Sequence, residues 1–401
     1  MKKILFLILA LCSTASVYAK TEIEDIKYRR SSIYSILISH DEQKFANEIK
    51  EQFLLTPVPD KYNDHDLSVK VVKVSNKGNY NETIEKFIDN NQIASRLVAK
   101  WFERDILTGE CSMDLVKTRG LYNASELDKE LAARSPRGLA MLQDAGEELI
   151  GNTFFLANEI NYIDKAKRSQ VAGGILRVLG AVAEIATGVD GLSDLGNNLG
   201  SMVETIKGFR VKIRTRLYQL DWDEETANTF YKLYYSSKPD AQKKAEFEKN
   251  RKKFKMRYIG EVESKGSTTS FLGINEDQPM LMVRKACQRA IDENVADLQK
   301  NHEPFRIKAP ILTVDPTITV QIGLKEGITA DSKFEVLEPQ EKDGKITYKR
   351  VGVIKPIANK IWDNRFMASE EGAYGADFNA TSFSKVSGGD LYPGLLVRQI
   401  K

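Results

Sequence analysis

The stretch LAMLQDAGEELIGNTFFLANEINYI, residues 139–163, indicates the class of the fold. Its first half predicts a helix from Leu139 to Ile150 that stops at Gly151, and its second half predicts a strand from Thr153 to Ile163. A helix that ends at glycine and leads directly into an apolar strand is a common connection in α/β domains. The stretch therefore favours a mixed α+β fold in which helices pack against a sheet.

The residues before this stretch alternate between strand and helix patterns. Strands are predicted from Ser31 to Ile38 and from Leu67 to Val74, with a helix from His40 to Leu54 between them. Apolar residues spaced three and four apart predict one further helix from Ile84 to Phe102. Residues 20–168 are therefore expected to form an α/β domain.

Residues 169–207 are apolar and rich in glycine, which predicts a helical hairpin with its turn at 188–191. Arg177 and Glu184 lie on one helical face, so the pattern favours an amphipathic helix over a membrane span. Three contacts remain open for this hairpin: the α/β domain, a membrane surface and another chain. We expect it to contact other envelope proteins or a second copy, with close helix approach at Gly173, Gly174, Gly180, Gly196 and Gly200.

Residues 208–305 are expected to continue the α/β domain as strand, helix, strand and helix. Phe209 to Leu220 alternates apolar and basic residues, and Asp221 to Glu224 has the pattern of a helix start. Lys253 to Ile259 predicts a second basic strand, and an apolar stripe predicts a helix over 279–300.

The two basic strands concentrate positive charge, because residues 205–257 hold fifteen Lys or Arg against seven Asp or Glu. If the strands are neighbours, like charges would face each other and destabilise the sheet unless acids or a bound anion intervene. Solvation is the simple explanation of such a face. The functional alternative is contact with an anionic lipid head group or acidic glycan through Arg210, Lys212, Arg214, Arg216, Lys253, Lys255 and Arg257.

The last part of the chain has a different texture. Pro304 and Pro310 mark a linker, after which residues 311–401 have an almost continuous β pattern with a hairpin turn at Asp343-Gly344. Glycines suited to the corners of a small closed barrel are Gly323, Gly327, Gly352, Gly388, Gly389 and Gly394. We therefore expect an α+β protein: an N-terminal α/β domain with a glycine-rich helical hairpin, and a C-terminal small β-barrel domain.

The N-terminus predicts export. Lys2 and Lys3 precede an apolar run and small residues that end at Ala19, so residues 1–19 have the order of a cleavable signal peptide. Acylation at Cys12 is the alternative, although the residue before it is too large for a lipoprotein signal. The expected location is the periplasm or the periplasmic face of the outer membrane, with secretion left open.

Cys111 and Cys287 are the other two cysteines, and in an oxidising compartment they could pair or remain buried thiols. Loss of Lys2 and Lys3 with the signal peptide reduces 59 basic residues to 57, against 56 acidic ones. This near-neutral balance predicts no polyanion partner for the molecule as a whole. No nucleic-acid recognition motif accompanies the local positive charge, so a nucleic-acid partner is not expected.

Motifs of common catalysis are missing from the sequence. It has no G-x-S-x-G elbow, Walker A loop, G-x-G-x-x-G or H-E-x-x-H. The only histidines, His40, His65 and His302, argue against a histidine-dependent nucleophilic site or a multi-histidine metal site. Asp60 to Asp66 predicts a polar turn, and helix capping explains Asp221 and Asp223. We expect neither a cofactor nor a metal ion.

Several short runs together resemble a family of uncharacterised exported proteins of Gram-negative bacteria: 30–35, 60–66, 93–99, 144–154 and 360–365. The order of elements has a fainter similarity to periplasmic assembly factors related to the curli secretion channel and to flagellar accessory proteins. That similarity implies a non-enzymatic scaffold or channel-accessory role. We therefore expect an exported envelope protein with a structural or assembly role. The alternative is a carboxylate-dependent hydrolase of envelope or extracellular glycans, because such enzymes leave no fixed sequence spacing.

Overall fold

The structure, a computed structural model, describes residues 31–40, 42–74, 80–122, 124, 126–135, 140–163, 209–267, 279–306, 308–342 and 345–400. The predicted signal peptide, the predicted hairpin at 169–207 and the predicted Asp343-Gly344 turn lie outside these residues. Within them the chain forms a six-stranded sheet accompanied by helices, and a closed six-stranded barrel. The predicted mixed fold with a C-terminal barrel is confirmed.

The sheet is built around its first strand. Its members are β1 Ser32–His40, β2 Asn63–Asp64, β3 Val71–Val74, β4 Thr153–Tyr162, β5 Arg210–Leu220 and β6 Met256–Ser267. β2, β3 and β4 run parallel to β1, while β5 and β6 continue the sheet in antiparallel order. β2 pairs with the start of β1, and β3 pairs with its end. The two short strands therefore lie along the same side of β1 and are interrupted between Asp64 and Val71.

The described helices are α1 Ala46–Leu55, α2 Tyr80–Asn90, α3 Ile93–Trp101, α4 Asp114–Tyr122, α5 Glu126–Arg134, α6 Ala140–Gly151, α7 Glu224–Leu233, α8 Ala241–Asn250 and α9 Pro279–Asn301. Short 3₁₀ turns follow at Arg251–Lys253, Glu303–Phe305, Leu324–Glu326 and Ala358–Lys360. Within the described parts of the chain, no helix is long and apolar enough to cross a membrane.

Side-chain alternation along β1 divides the core into two layers. Tyr34 and Ile36 face a cluster that includes residues of α2, α3, α6 and α7, whereas Ile33 and Leu37 face α1 and α9. The two described cysteines belong to different layers, Cys111 to the first and Cys287 to the second. Both cysteines are buried, and they remain free thiols because the sheet lies between them. Burial raises the pKa of the Cys287 thiol to about 12.

The stretch that indicated the fold has the predicted structure. α6 and β4 confirm the helix and strand of residues 139–163, although the helix includes Gly151. The predicted strand from Ser31, the strand from Phe209 and the helix over 279–300 occur as β1, β5 and α9. Periodicity identified these elements because each buries a regular face or stripe.

Three other predicted elements had wrong boundaries. The predicted single helix from Ile84 to Phe102 is two helices, because Gln92 has a left-handed φ of 51° between α2 and α3. The helix expected from His40 begins only at Ala46, after a turn that ends at Phe45 with φ 63°. The strand expected from Leu67 is reduced to β3.

The barrel contains β7 Ala309–Thr313, β8 Ile318–Val320, β9 Phe334–Lys342, β10 Lys345–Pro356, β11 Thr381–Gly388 and β12 Leu396–Gln399. It closes in the order β10-β11-β8-β7-β12-β9, which leaves no unpaired edge strand. Pro310 lies inside β7, so the barrel begins earlier than the predicted linker allowed. Gly388 has φ 111°, and a Cβ there would collide with the Val351 carbonyl, so this corner requires glycine.

Candidate functional site

The predicted basic residues of β5 lie on one face of the strand, beside α2. The apolar residues between them, including Val211, Ile213 and Leu217, fill the layer under α9, which confirms the predicted alternation. Exposure falls along the basic row, from an exposed Arg210 to half-buried Lys212 and Arg214 and a buried Arg216.

Acidic residues of β6 intervene between these bases. Arg214 and Arg216 both contact Glu261, at nitrogen–oxygen distances of 2.7 and 3.5 Å, and Lys212 lies 3.0 Å from Glu263. The hydrogen bond with Glu261 raises the pKa of the Arg214 guanidinium. Cross-strand ion pairs therefore relieve the repulsion that a purely basic face would create.

Arg216 is the most enclosed base of this face. Its guanidinium lies 4.4 Å from the ring centroid of Tyr258 and 3.3 Å from a carboxylate oxygen of Glu85 on α2. The Tyr218 hydroxyl donates to the same Glu85 carboxylate at 2.8 Å. Burial, reinforced by this hydrogen bond, raises the pKa of Tyr218. The Arg216 guanidinium is therefore paired within the protein, with acidic side chains and aromatic rings.

The second basic strand was predicted over Lys253 to Ile259, and the predicted start of this strand is wrong. Residues 251–253 form a 3₁₀ turn, and β6 begins only at Met256. Phe254 is buried between them and fixes the turn in the core. The alternation of basic and aromatic residues in this segment therefore spans a turn and a strand start.

The three basic residues of this segment, Lys253, Lys255 and Arg257, do not share a common site. Arg257 donates to Gln219, directly opposite on β5, at 2.8 Å. Lys253 is exposed and precedes β6, so it does not face a base of β5. Lys255 borders a cleft of about 310 Å³ whose charged lining residues are Glu85, Asp89, Arg251, Lys252 and Lys255. Contact with an anionic partner through Lys253 and Lys255 stays a prediction.

The hairpin glycines Gly173, Gly174, Gly180, Gly196 and Gly200 lie outside the described residues. The strands on either side of that segment are described. Tyr162 pairs with Val211, and the Ile163 backbone N–H donates to the Arg210 carbonyl at 2.9 Å. The segment therefore begins and ends at one end of a strand pair that is already closed by hydrogen bonds.

Two of the three histidines, His40 and His65, contact other side chains of the protein. His40 Nε2 lies 2.7 Å from a carboxylate oxygen of Glu159. His65 is buried, stacks on Trp101 at a centroid distance of 5.0 Å and lies 3.0 Å from Arg119. Burial, aided by the Arg119 charge, lowers the pKa of His65 to about 3, so this imidazole is neutral near pH 7.

The acidic motifs also have structural roles. Asp223 caps α7 by accepting from the Thr226 backbone N–H at 2.8 Å, which confirms the predicted cap. Asp66 accepts from the Ser68 N–H at 2.9 Å and lies 3.3 Å from Lys70, as in a polar turn. In the part of the chain that the structure describes, no group of three His, Cys, Asp or Glu residues could hold a metal ion.

Sequence reasoning missed a charged cluster between α9 and the turns that join β10 to β11. Lys285 is fully buried and forms an ion pair with Glu371. Arg289, one helical turn later, contacts Glu371 at 2.9 Å and donates to the Phe366 carbonyl at 2.8 Å. Burial lowers the pKa of Lys285. The spacing of these two bases was the available signal, but their acidic partner is distant in sequence.

Asp292 lies on the same helix and faces the 3₁₀ turn at Leu324–Glu326. Its Oδ2 atom lacks a hydrogen-bond partner among the residues described. Burial raises the pKa of Asp292 to about 7, against the opposing charge of Lys325 and together with the charges of Glu326 and Asp60. The boundary between α9 and the barrel thus contains a carboxyl group that titrates near neutral pH.

An aliphatic loop, residues 103–111 between α3 and α4, is the most exposed apolar feature described. Ile106 is 83% exposed and Leu107 is 82% exposed. The Asp105 carboxylate accepts from the backbone N–H groups of Leu107 and Thr108, at 2.9 and 2.6 Å. Hydrogen bonds from Thr108 lower the pKa of Asp105, which keeps it charged.

The helical layer braces this aliphatic loop from behind. Arg104 donates to the Tyr234 carbonyl at 2.9 Å and lies 4.4 Å from the ring centroid of Phe247. Lys244 on α8 donates to the Leu107 carbonyl at 2.7 Å. These hydrogen bonds hold the loop backbone in place, and the side chains of Ile106 and Leu107 extend from it into solvent.

No protein-family model matches this chain, and the comparison with curated proteins found no match. The resemblance to exported Gram-negative proteins therefore stays a prediction from the sequence.

Proposed function

We propose that this protein is a non-enzymatic component of the cell envelope with a structural or assembly role. It acts by contact with other envelope proteins or with a second copy of itself. The observation that carries this proposal is the aliphatic loop, in which Ile106 and Leu107 are exposed on a fixed backbone. A rigid loop offers apolar contact area with little ordering cost on binding.

One further feature supports a contact role, and it does not involve the bases of β5, which are engaged in ion pairs with Glu261 and Glu263. The sequence-predicted hairpin at 169–207 joins two strand ends that are already paired, which suits a second contact element. The signal pattern of residues 1–19 favours the periplasm or the periplasmic face of the outer membrane as the location.

The alternative, a carboxylate-dependent glycan hydrolase, requires two carboxylates on opposite sides of a bound sugar. The acids that line the cleft beside β6 are Glu85 and Asp89, which both belong to α2 and so to one wall. Asp292, whose pKa is raised, does not line this cleft. The described geometry therefore favours the contact role.

The test compares two exposed aliphatic positions in the full-length chain. A photo-crosslinking residue replaces Leu107 or, as a matched control, Val386, which is 55% exposed on β11. We expect a discrete crosslinked product in the native envelope from position 107 only. Ile106→Asp should remove that product without lowering the melting temperature, because the side chain is exposed. Equal products at both positions, or a product that survives Ile106→Asp, would contradict the proposal.

A further inference from the structure

A cavity of about 250 Å³ lies between the sheet, the end of α1 and α9. It borders the interruption between β2 and β3, where Asp64 and Lys70 line it. Most of its wall is apolar and comes from both helices and from two neighbouring strands: Ile33, Phe53, Leu156, Ile291 and Val295. Ser35, Thr56, Asp64, Lys70 and Asn158 add polar groups to this wall, and a concave apolar surface with placed polar groups is typical of small-molecule sites.

Ser35 is the polar residue of β1 that borders this cavity. The other residues of the strand from Ser32 to Ser39 are buried, whereas Ser35 is half-buried in the middle of an internal strand. Because it also lines the cavity, its accessible surface opens into that space.

Hydrogen bonds across three strands orient the Ser35 hydroxyl. Asn158 Nδ2 donates to the Ile36 carbonyl at 2.9 Å, and a carbonyl can only accept, so this contact fixes the orientation of the amide. The same Nδ2 donates to Ser35 Oγ at 2.8 Å. On the other side, Thr215 Oγ1 donates to Asn158 Oδ1 at 2.7 Å.

This chain of bonds leaves the Ser35 proton available to a ligand. Ser35 Oγ accepts from Asn158, and the described residues provide no other hydrogen-bond partner for it. A hydroxyl that accepts one hydrogen bond still has its own proton to donate. An acceptor atom inside the cavity would complete the chain from Thr215 through Asn158 to Ser35.

We infer that this cavity binds a small, neutral aliphatic molecule whose carbonyl or hydroxyl oxygen accepts a hydrogen bond from Ser35. The apolar wall would hold the hydrocarbon part. A charged head is disfavoured, because a single hydroxyl does not compensate the desolvation of a carboxylate. The nearest base, Lys70, lies between Asp64 and Asp66, at 3.7 and 3.3 Å. This binding goes beyond the proposed assembly role and does not depend on it.

The experiment titrates the full chain with 2-hexanone, 1-hexanol and hexanoate, and follows methyl NMR signals of Ile33, Leu156 and Ile291. Both neutral probes should shift these signals saturably, whereas hexanoate should bind at least about tenfold more weakly. The ketone only accepts a hydrogen bond, so it tests the Ser35 donor directly. This comparison needs no variant.

Ser35→Ala should weaken 2-hexanone binding about three- to tenfold, the effect of one neutral hydrogen bond. Ser39→Ala is the matched control, because Ser39 lies on the same strand and does not line the cavity. Its affinity should equal that of the unchanged chain. The proposal is overturned if no probe gives saturable shifts, if hexanoate binds as tightly as the ketone, or if Ser35→Ala binds the ketone with unchanged affinity.

Discussion

Lys285 on α9 and Glu371 in the turns between β10 and β11 form an ion pair inside the protein, at the boundary between the sheet and the barrel. The Lys285 side chain is fully buried, and the Glu371 side chain is 7% exposed. Arg289 contacts the same carboxylate from the next turn of α9. The contact of the barrel with this helix therefore depends on charges that water does not screen well.

Glu371→Gln should destabilise the protein by about 3–5 kcal/mol, because it leaves Lys285 buried without its acidic partner. Urea unfolding monitored by tryptophan fluorescence measures the change. Glu303→Gln is the matched control, since Glu303 is largely exposed and lies 3.4 Å from Arg398. That control should cost no more than about 1 kcal/mol. A similar small effect of both substitutions would show that the buried pair contributes little.

Asp292→Asn should change how stability depends on pH. Burial raises the pKa of Asp292 from its ordinary 3.8 to about 7, so the folded state binds this proton more tightly than the unfolded state. The contribution of this group to stability is therefore complete at low pH and declines as the pH rises from about 4 to about 7. Relative to the unchanged chain, Asp292→Asn should gain unfolding free energy as the pH rises from about 4 to about 7, and the difference should stay constant above about pH 7. A difference that is constant over the whole range would refute this.

Removing the acids of β6 should make β5 attractive to anions. With Glu261→Gln and Glu263→Gln together, Lys212, Arg214 and Arg216 lose ion-pair partners, so binding to anionic vesicles at low salt should increase. A sedimentation assay measures the bound fraction. The control has the same net charge and replaces two exposed acids of helical pairs, Glu82 and Glu130. If both double variants bind equally, net charge and not the β5 face is responsible.

A fragment of residues 308–401 should fold alone into the barrel, because this segment contains all six strands and most of the barrel core. A fragment that starts at 311, the boundary predicted from the sequence, should be less stable. It lacks Ala309 and Pro310, which pair with Val397 and Leu396 on β12. Thermal unfolding followed by circular dichroism compares the two fragments. A disordered spectrum of the longer one would show that α9 is required for folding.

Gly180→Leu tests the predicted contact role of the hairpin. A bulky side chain should obstruct close approach of another helix at this glycine. If the contact is intermolecular, the variant should keep its melting temperature and lose self-association or crosslinking to its envelope partner. A large drop in melting temperature with unchanged association would mean that the segment is internal core.

Much of the local structure could be predicted because it depends on neighbours in sequence. Alternation predicted a strand from Phe209 to Leu220 and the faces that its basic residues and the apolar residues up to Leu217 occupy. The break at Gln92 was not predicted, because apolar spacing continues through it and only the packing of two helices favours its left-handed backbone. The candidate contact residues Ile106 and Leu107 gave no signal either, since an apolar pair in sequence does not indicate exposure.

The sequence by itself determined the mixed fold, the C-terminal barrel and the basic row on β5. Only the tertiary structure decided which acids meet that row, how Lys285 finds Glu371 and where the cavity beside Ser35 forms. The physical reason is that periodicity specifies the face a side chain occupies, whereas partners across strands depend on register and on distant segments. A shift of one residue would turn Glu261 and Glu263 to the opposite face of β6, away from Arg214.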